Sequence, residues 1–291
     1  MKITRKKIGN YLSLVKFSHT VFAMPFALTG YFTAVYAHGY GFNPLILLLI
    51  VLCMVFARNA AMGFNRYLDR DIDKLNPRTS KREIPNKIIT PKNAILFVII
   101  NSILFITTTA FINMLCLVLS PIALAVILGY SFTKRYTWLC HLVLGLGLSL
   151  APIGAYLAVS AQFHYVAIIY SLIVLFWVAG FDIIYALNDE KFDRQNNLFS
   201  IPSYFGEKKA RIISAFFHLI SGCLLLIIAY FEMFELIATV GVLVFLSLLI
   251  IQHIIVIISR NRINAAFFIT NGIASIILAI GIILEMIIIY Y

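Results

Sequence analysis

The 291 residues are 62% hydrophobic and only 12% charged, with a mean hydropathy of +0.97. A soluble domain holds roughly 45–50% apolar and about 25% charged residues, so this excess rules out a lone soluble core and requires a bilayer as solvent. The net charge of +11 would suit a nucleic-acid binder, but the apolar excess overrides that reading, and basic residues on a membrane chain mark its cytoplasmic side.

The N-terminal stretch carries Lys2, Arg5, Lys6, Lys7 and Lys16, and an apolar run follows over 19–37. Val35, Tyr36 and Ala37 have the small-residue form of a leader cleavage site, but the run is long and others follow, so it reads as a retained first transmembrane helix. A span needs about 20 mostly apolar residues. Further runs meet this over 44–63, 93–112, 114–132, 139–159, 165–186, 211–231, 235–258 and 264–290, which gives nine spans. Asn113 alone parts the third from the fourth, so eight is the alternative count. The expected architecture is all-α, one integral-membrane domain over 1–291. Cys53, Cys116, Cys140 and Cys223 are scattered and read as small apolar fillers. His19, His38, His141, His164, His218 and His253 lack ligand spacing and read as structural. Gly145 and Gly147 read as sites of close helix contact.

Charge placement orients the chain. All 23 Lys and Arg fall in the N-terminal stretch, at Arg58, or in alternate connections after spans 2, 4, 6 and 8. The intervening connections hold none. The positive-inside rule then sets the N-terminus in the cytoplasm. The two long connections, 64–92 and 187–210, face the same side and are where chemistry is expected.

Each long connection carries an acidic cluster. In the first, Asn65, Asp69 and Asp73 are spaced i, i+4, i+8 and share one face if helix 2 runs through them, while Asp71 points elsewhere. In the second, Asp189 and Asp193 repeat the i, i+4 spacing, and Asp182 lies two helical turns earlier on the same face. Carboxylates near a bilayer are costly and mark function. A divalent cation relieves their repulsion; Mg²⁺ typically takes one or two carboxylates plus substrate phosphates, and nearby Lys and Arg take the remaining charge. A calcium loop beginning at Asp69 is excluded, because Lys74 and Ser80 stand where glycine and glutamate are needed.

These residues resemble the UbiA superfamily of intramembrane prenyltransferases. Asn65, Asp69 and Asp73 look like its first aspartate motif, and Arg78, Thr79, Arg82, Ile84 and Pro85 like its continuation. Tyr130 and Lys134, extended by Arg135, Tyr136 and Thr137, look like its Tyr-x-x-x-Lys element. Asp182, Tyr185, Ala186, Asp189 and Asp193 look like its second motif. The branch most similar is that of 4-hydroxybenzoate polyprenyltransferases. One departure is Lys16-Phe17-Ser18-His19-Thr20, where that branch has Arg-x-Asp-Lys-Pro. This stretch is more similar to relatives in menaquinone-making bacteria and leaves the acceptor open between 4-hydroxybenzoate and a dihydroxynaphthoate.

The resemblance implies a bundle around a central cavity in the bacterial cytoplasmic (inner) membrane, with the active site facing the cytoplasm. The expected substrates are a polyprenyl diphosphate and an aromatic acid, with Mg²⁺ as cofactor and no nucleic-acid partner. Asn65, Asp69 and Asp73 would hold one Mg²⁺, and Asp189 and Asp193 a second. Lys134, Arg78, Arg82 and Arg135 would bind phosphate oxygens, and Tyr185 would line the substrate site. Asp182 is the expected activator of the acceptor hydroxyl, with Asp69 as its rival. Lys16 would pair with the acceptor carboxylate or act as a membrane-edge anchor. Tyr130 would line the diphosphate site, face the allylic cation, or serve as an interfacial aromatic. The rival from another class is a transporter, whose acids belong near the bilayer midplane. The compact glycine-containing acidic signature of phosphatidyl-alcohol transferases is absent.

Overall fold

The structure, a computed structural model, describes residues 9–11, 13–15, 22–259 and 263–290. Among them it is helical, with no strand. Helix α1 (Met24–Phe32) continues as a π-helical turn over Thr33–Ala37. There follow α2 (Pro44–Leu68), the short α3 (Arg70–Leu75), α4 (Pro91–Ala110), α5 (Met114–Thr133), α6 (Cys140–Ser160) and α7 (Tyr165–Ala186). The short α8 (Glu190–Gln195) and α9 (Ile201–Phe205) precede α10 (Glu207–Phe231), α11 (Leu236–Ile258) and α12 (Asn271–Tyr290), the last led in by a π-helical turn over Ala266–Thr270. Eight of these helices are long and apolar enough to cross a membrane, and they match the eight runs expected after the first. The start of the first run, at 19, lies outside the described residues.

The polar residues between the runs fix the helix ends. Asn43 Oδ1 accepts from the N–H groups of Leu45 and Ile46, and Thr90 Oγ1 from that of Asn93, each just before a proline that opens the helix. Asn113 separates α4 from α5: its Oδ1 accepts from Cys116 N at 2.8 Å and its Nδ2 donates to Leu157 O at 2.9 Å. One asparagine thus caps α5 and ties it to α6, which decides the span count against fusion of the two runs. At 20–25 residues and 1.5 Å per residue, the long helices reach about 30–38 Å, the thickness of a bilayer core with some tilt.

The core centres on α7, which packs against α6 and α10, while α11 pairs with α12, α1 with α6, and α2 with α4. Trp177, Tyr170 and Phe245 are fully buried there. Small residues set the spacing. A Cβ on Gly145 would overlap the carbonyl oxygen of Leu175, and one on Gly30 that of Pro152. Gly145 is therefore a close-contact site as expected, whereas Gly147 meets nothing within 4 Å.

A polar chain runs through this apolar interior. Trp177 Nε1 donates to Asn271 Oδ1 at 3.0 Å, Asn271 Nδ2 to Gln252 Oε1 at 3.0 Å, and Gln252 Nε2 to His218 Nδ1 at 3.2 Å. It joins four helices, and each buried polar group on it has a partner, as burial requires. At the opposite end of the bundle from the acidic clusters, Glu285 of α12 accepts from the N–H groups of Glu235 and Ala238, both at 2.8 Å. A carboxylate from the next long helix thus caps α11. Outward faces are apolar: Ile212, Phe216, Leu219 and Tyr230 form one exposed stripe along α10, suited to lipid.

Candidate active site

The two acidic clusters lie at the same end of the bundle and are built alike. Helix α2 stops at Leu68, Asp69 turns the chain, and α3 restarts at once. Helix α7 stops at Ala186, and Asp189 opens α8. The i to i−4 bonding survives the first break, with Asp69 N donating to Asn65 O at 2.9 Å and Asp73 N to Asp69 O at 2.7 Å; at the second it tightens to i−3, Asp189 N donating to Ala186 O at 3.0 Å, before Asp193 N donates to Asp189 O at 2.8 Å. The expected continuous helix is broken, yet the acids keep a shared face. Asp71 is exposed and beside Arg70, pointing away as expected.

Buried carboxylates need compensation, and here cations supply it. Asp69, 2% exposed, receives Arg135 Nη2 on Oδ1 and Lys134 Nζ on Oδ2, both at 2.8 Å, with Asn65 Nδ2 at 3.2 Å. Asp73 accepts from Arg82 Nη1 at 2.7 and 2.8 Å. Asp189 is held by Arg78 Nη2, by Arg78 Nε at 2.9 Å and by Asn76 Nδ2 at 3.1 Å. Arg78 also donates to the Tyr185 hydroxyl at 3.0 Å and lies over its ring. The loop after α3 thus crosses to the second motif and joins the two clusters. Tyr130 neighbours Asp69, Arg66 and Arg58. Lys16 lies outside the described residues.

Asp193 differs from the other acids. Burial and the charge of Asp189 push its carboxyl up to about 6 against the pull of Lys134, and Ser200 Oγ donates to it at 3.1 Å. The donor set as a whole is hard oxygen, which suits Mg²⁺. Among the described residues no group of three or more His, Cys, Asp or Glu converges as a ready metal cage. Both facts fit a cation completed by substrate phosphates.

Asp182 stands apart. Its Oδ2 pairs with His141 Nδ1 at 2.7 Å, and no described residue bonds its Oδ1. His141, read from the sequence as structural, is thus the partner of the expected activator. Nothing in the spacing announces the pair, whose members are 41 residues apart. Arg58 and Arg66 lie outside the motifs. Each has a buried Nε without a hydrogen-bond partner, and Arg66 is 3% exposed. The available signal was positional: Arg58 interrupts an apolar run seven residues before Asn65, on its helical face.

The UbiA prenyltransferase family model matches residues 23–276. The chain belongs to the UbiA prenyltransferase family. Among curated relatives, a 4-hydroxybenzoate octaprenyltransferase of Vesicomyosocius okutanii is 31% identical over 251 residues, 84% of this chain and 90% of the relative. One from Aliivibrio fischeri is 33% identical over 171 residues, 58% of each chain. A solved UbiA homologue from Aeropyrum pernix superposes with a TM-score of 0.84 at 32% identity, over 92% of this chain and 98% of that one. A UbiA homologue from Archaeoglobus fulgidus, solved with GPP and Mg²⁺, shares the fold with a TM-score of 0.72 at 23% identity, over 92% of this chain and 99% of that one. In this UbiA member the acids lie at helix ends rather than in broken midplane helices, which removes the ground for a transporter.

Proposed function

We propose that the chain transfers a polyprenyl group from its diphosphate to a ring carbon of an aromatic acid, 4-hydroxybenzoate in the first instance, with Mg²⁺ as cofactor. The reading rests on two matched aspartate turns, joined through Arg78 and Asn76, and ringed by Arg78, Arg82, Lys134 and Arg135. The names of the curated relatives and the ligands of the Archaeoglobus homologue support it.

In the mechanism, Asn65, Asp69 and Asp73 would hold one Mg²⁺, and Asp189 and Asp193 a second. The bound metal supplies charge neutralisation of the leaving diphosphate. The four cations exchange their carboxylate partners for phosphate oxygens as substrate enters, which stabilises the diphosphate as the allylic C–O bond breaks. The electron-rich ring of the acceptor attacks the allylic carbon as its hydroxyl gives up a proton; the ring carbon then sheds its hydrogen to the departed diphosphate, and the hydroxyl takes its proton back. Asp69, released by Lys134 and Arg135 only to hold Mg²⁺, would be a poor base. Asp182, whose Oδ1 no described residue bonds, is the group to accept the acceptor's hydroxyl proton. Arg58 and Arg66, which neighbour Tyr130 together with Asp69, would add positive charge beside the anionic substrates.

The test is to express the chain in bacterial membranes and supply 4-hydroxybenzoate, a polyprenyl diphosphate and Mg²⁺. Mass spectrometry should find the prenylated acid, and EDTA or Asp69→Asn should abolish it. Product with a dihydroxynaphthoate alone would keep the reaction class and change the acceptor. No product with any acceptor, from folded protein, would overturn the reading.

A further inference from the structure

His141 has no part in the motifs that define the site, yet its side chain is buried beside Asp182. It is 2% exposed, with both ring nitrogens engaged. Nδ1 meets Asp182 Oδ2 at 2.7 Å. Nε2 receives the backbone N–H of Ile201 at 3.2 Å. A backbone amide can only donate, so Nε2 must present a lone pair. The one ring proton therefore sits on Nδ1 and is given to Asp182. An imidazolium would set a second N–H against that of Ile201.

The source of that backbone N–H is equally specific. Ile201 is the first residue of α9, where amides have no intrahelical acceptor. Three consecutive residues there each hold a different part of the site. Phe199 N donates to the carbonyl of Lys134 at 2.7 Å. Ser200 Oγ donates to Asp193 Oδ2 at 3.1 Å, and Ile201 N to His141. The segment that steadies the diphosphate end of the site also selects the tautomer of the imidazole facing Asp182.

We propose that His141 is a positioning residue for Asp182: its Nδ1–H occupies Oδ2 and turns the free Oδ1 toward the hydroxyl of the aromatic acceptor. This rests on the prenyl-transfer reading above. A carboxylate held on one oxygen cannot rotate away, and its remaining lone pairs lie in a fixed direction. His141 touches neither substrate, so its loss leaves diphosphate departure intact and impairs capture of the allylic group by the acceptor.

The experiment measures two products of the full-length protein in membranes with Mg²⁺ and farnesyl diphosphate. One is the prenylated acid, formed with whichever hydroxylated aromatic acid the wild type accepts. The other is diphosphate released by hydrolysis when the acceptor is omitted. Their ratio is independent of the amount of folded protein. In His141→Leu the ratio should fall about 100-fold or more, within the range for general acid–base assistance. His141→Asn places an amide N–H near the position of Nδ1 and should recover the ratio to within about tenfold of wild type, whereas His141→Gln, whose N–H falls near Nε2, should not. An unchanged ratio in His141→Leu, a parallel fall of both products, or an Asn variant no better than Gln would each overturn the proposal. If the Leu variant does not accumulate, the Asn–Gln comparison decides alone. A wild type that forms no prenylated product defeats the underlying prenyl-transfer reading instead.

Discussion

At the scale of single residues, the site is a set of carboxylates already neutralised by arginine and lysine. Arg78 is the residue shared by both motifs, through Asp189 and Tyr185. Arg78→Ala removes a charge-assisted contact to diphosphate and unlinks the clusters. We expect KM for the prenyl diphosphate to rise by about 10- to 100-fold, measured by initial rates at saturating acceptor. Arg58 gives the opposite pairing of effects. Its buried Nε has no partner, so Arg58→Leu leaves no acceptor orphaned and relieves a desolvated charge. Thermal unfolding in detergent should shift upward or stay level while KM for an anionic substrate rises. A drop in thermal stability would show that the guanidinium has a structural partner. The spacing of Asn65, Asp69, Asp73, Asp189 and Asp193 was legible because it repeats within one helical face. The Asp182–His141 pair was not, because it forms between α7 and α6 and depends on where α9 begins.

At the scale of helices, run length gave eight of the spans to within a few residues, because apolar length is set by bilayer thickness. The end of α7 at Ala186 was legible as the end of its apolar run, but the turn at Asp69 was not. Nothing near Asp69 or Asp189 is a glycine or proline that would stop a helix, and the turn is imposed by tertiary contacts such as Arg135 Nη2 to Leu68 O at 3.1 Å. Helix spacing leads to two predictions. Gly145→Ala drives a Cβ into the backbone of α7, which cannot rotate aside as a side chain could. It should cost about 1–3 kcal/mol, seen as a lowered Tm, whereas Gly147→Ala, facing open space, should not. Glu285→Ala leaves two amides at the start of α11 without an acceptor and should cost about 1–3 kcal/mol, with Glu285→Gln recovering part of it.

At the scale of the whole molecule, every described Lys and Arg falls at one end of the bundle, apart from Arg58, within α2. The antiparallel order of the long helices alternates in step with this bias. A membrane-impermeant maleimide should therefore label Phe163→Cys in intact cells, and Lys191→Cys only after permeabilisation. The reverse pattern would invert the orientation and place both aspartate turns outside. The fold class was legible because hydropathy and charge asymmetry are properties of the whole chain.

The cap on α11 also carries a consequence for biosynthesis. Residues 235 and 238 leave the ribosome about 50 residues ahead of Glu285. While the nascent chain is being threaded into the bilayer, the leading amides of α11 have only water or lipid headgroups for partners. They gain their carboxylate once the following helix has crossed. The last two spans therefore become secure together, as a hairpin, and a chain interrupted between them would leave the translocation machinery with an unfinished end.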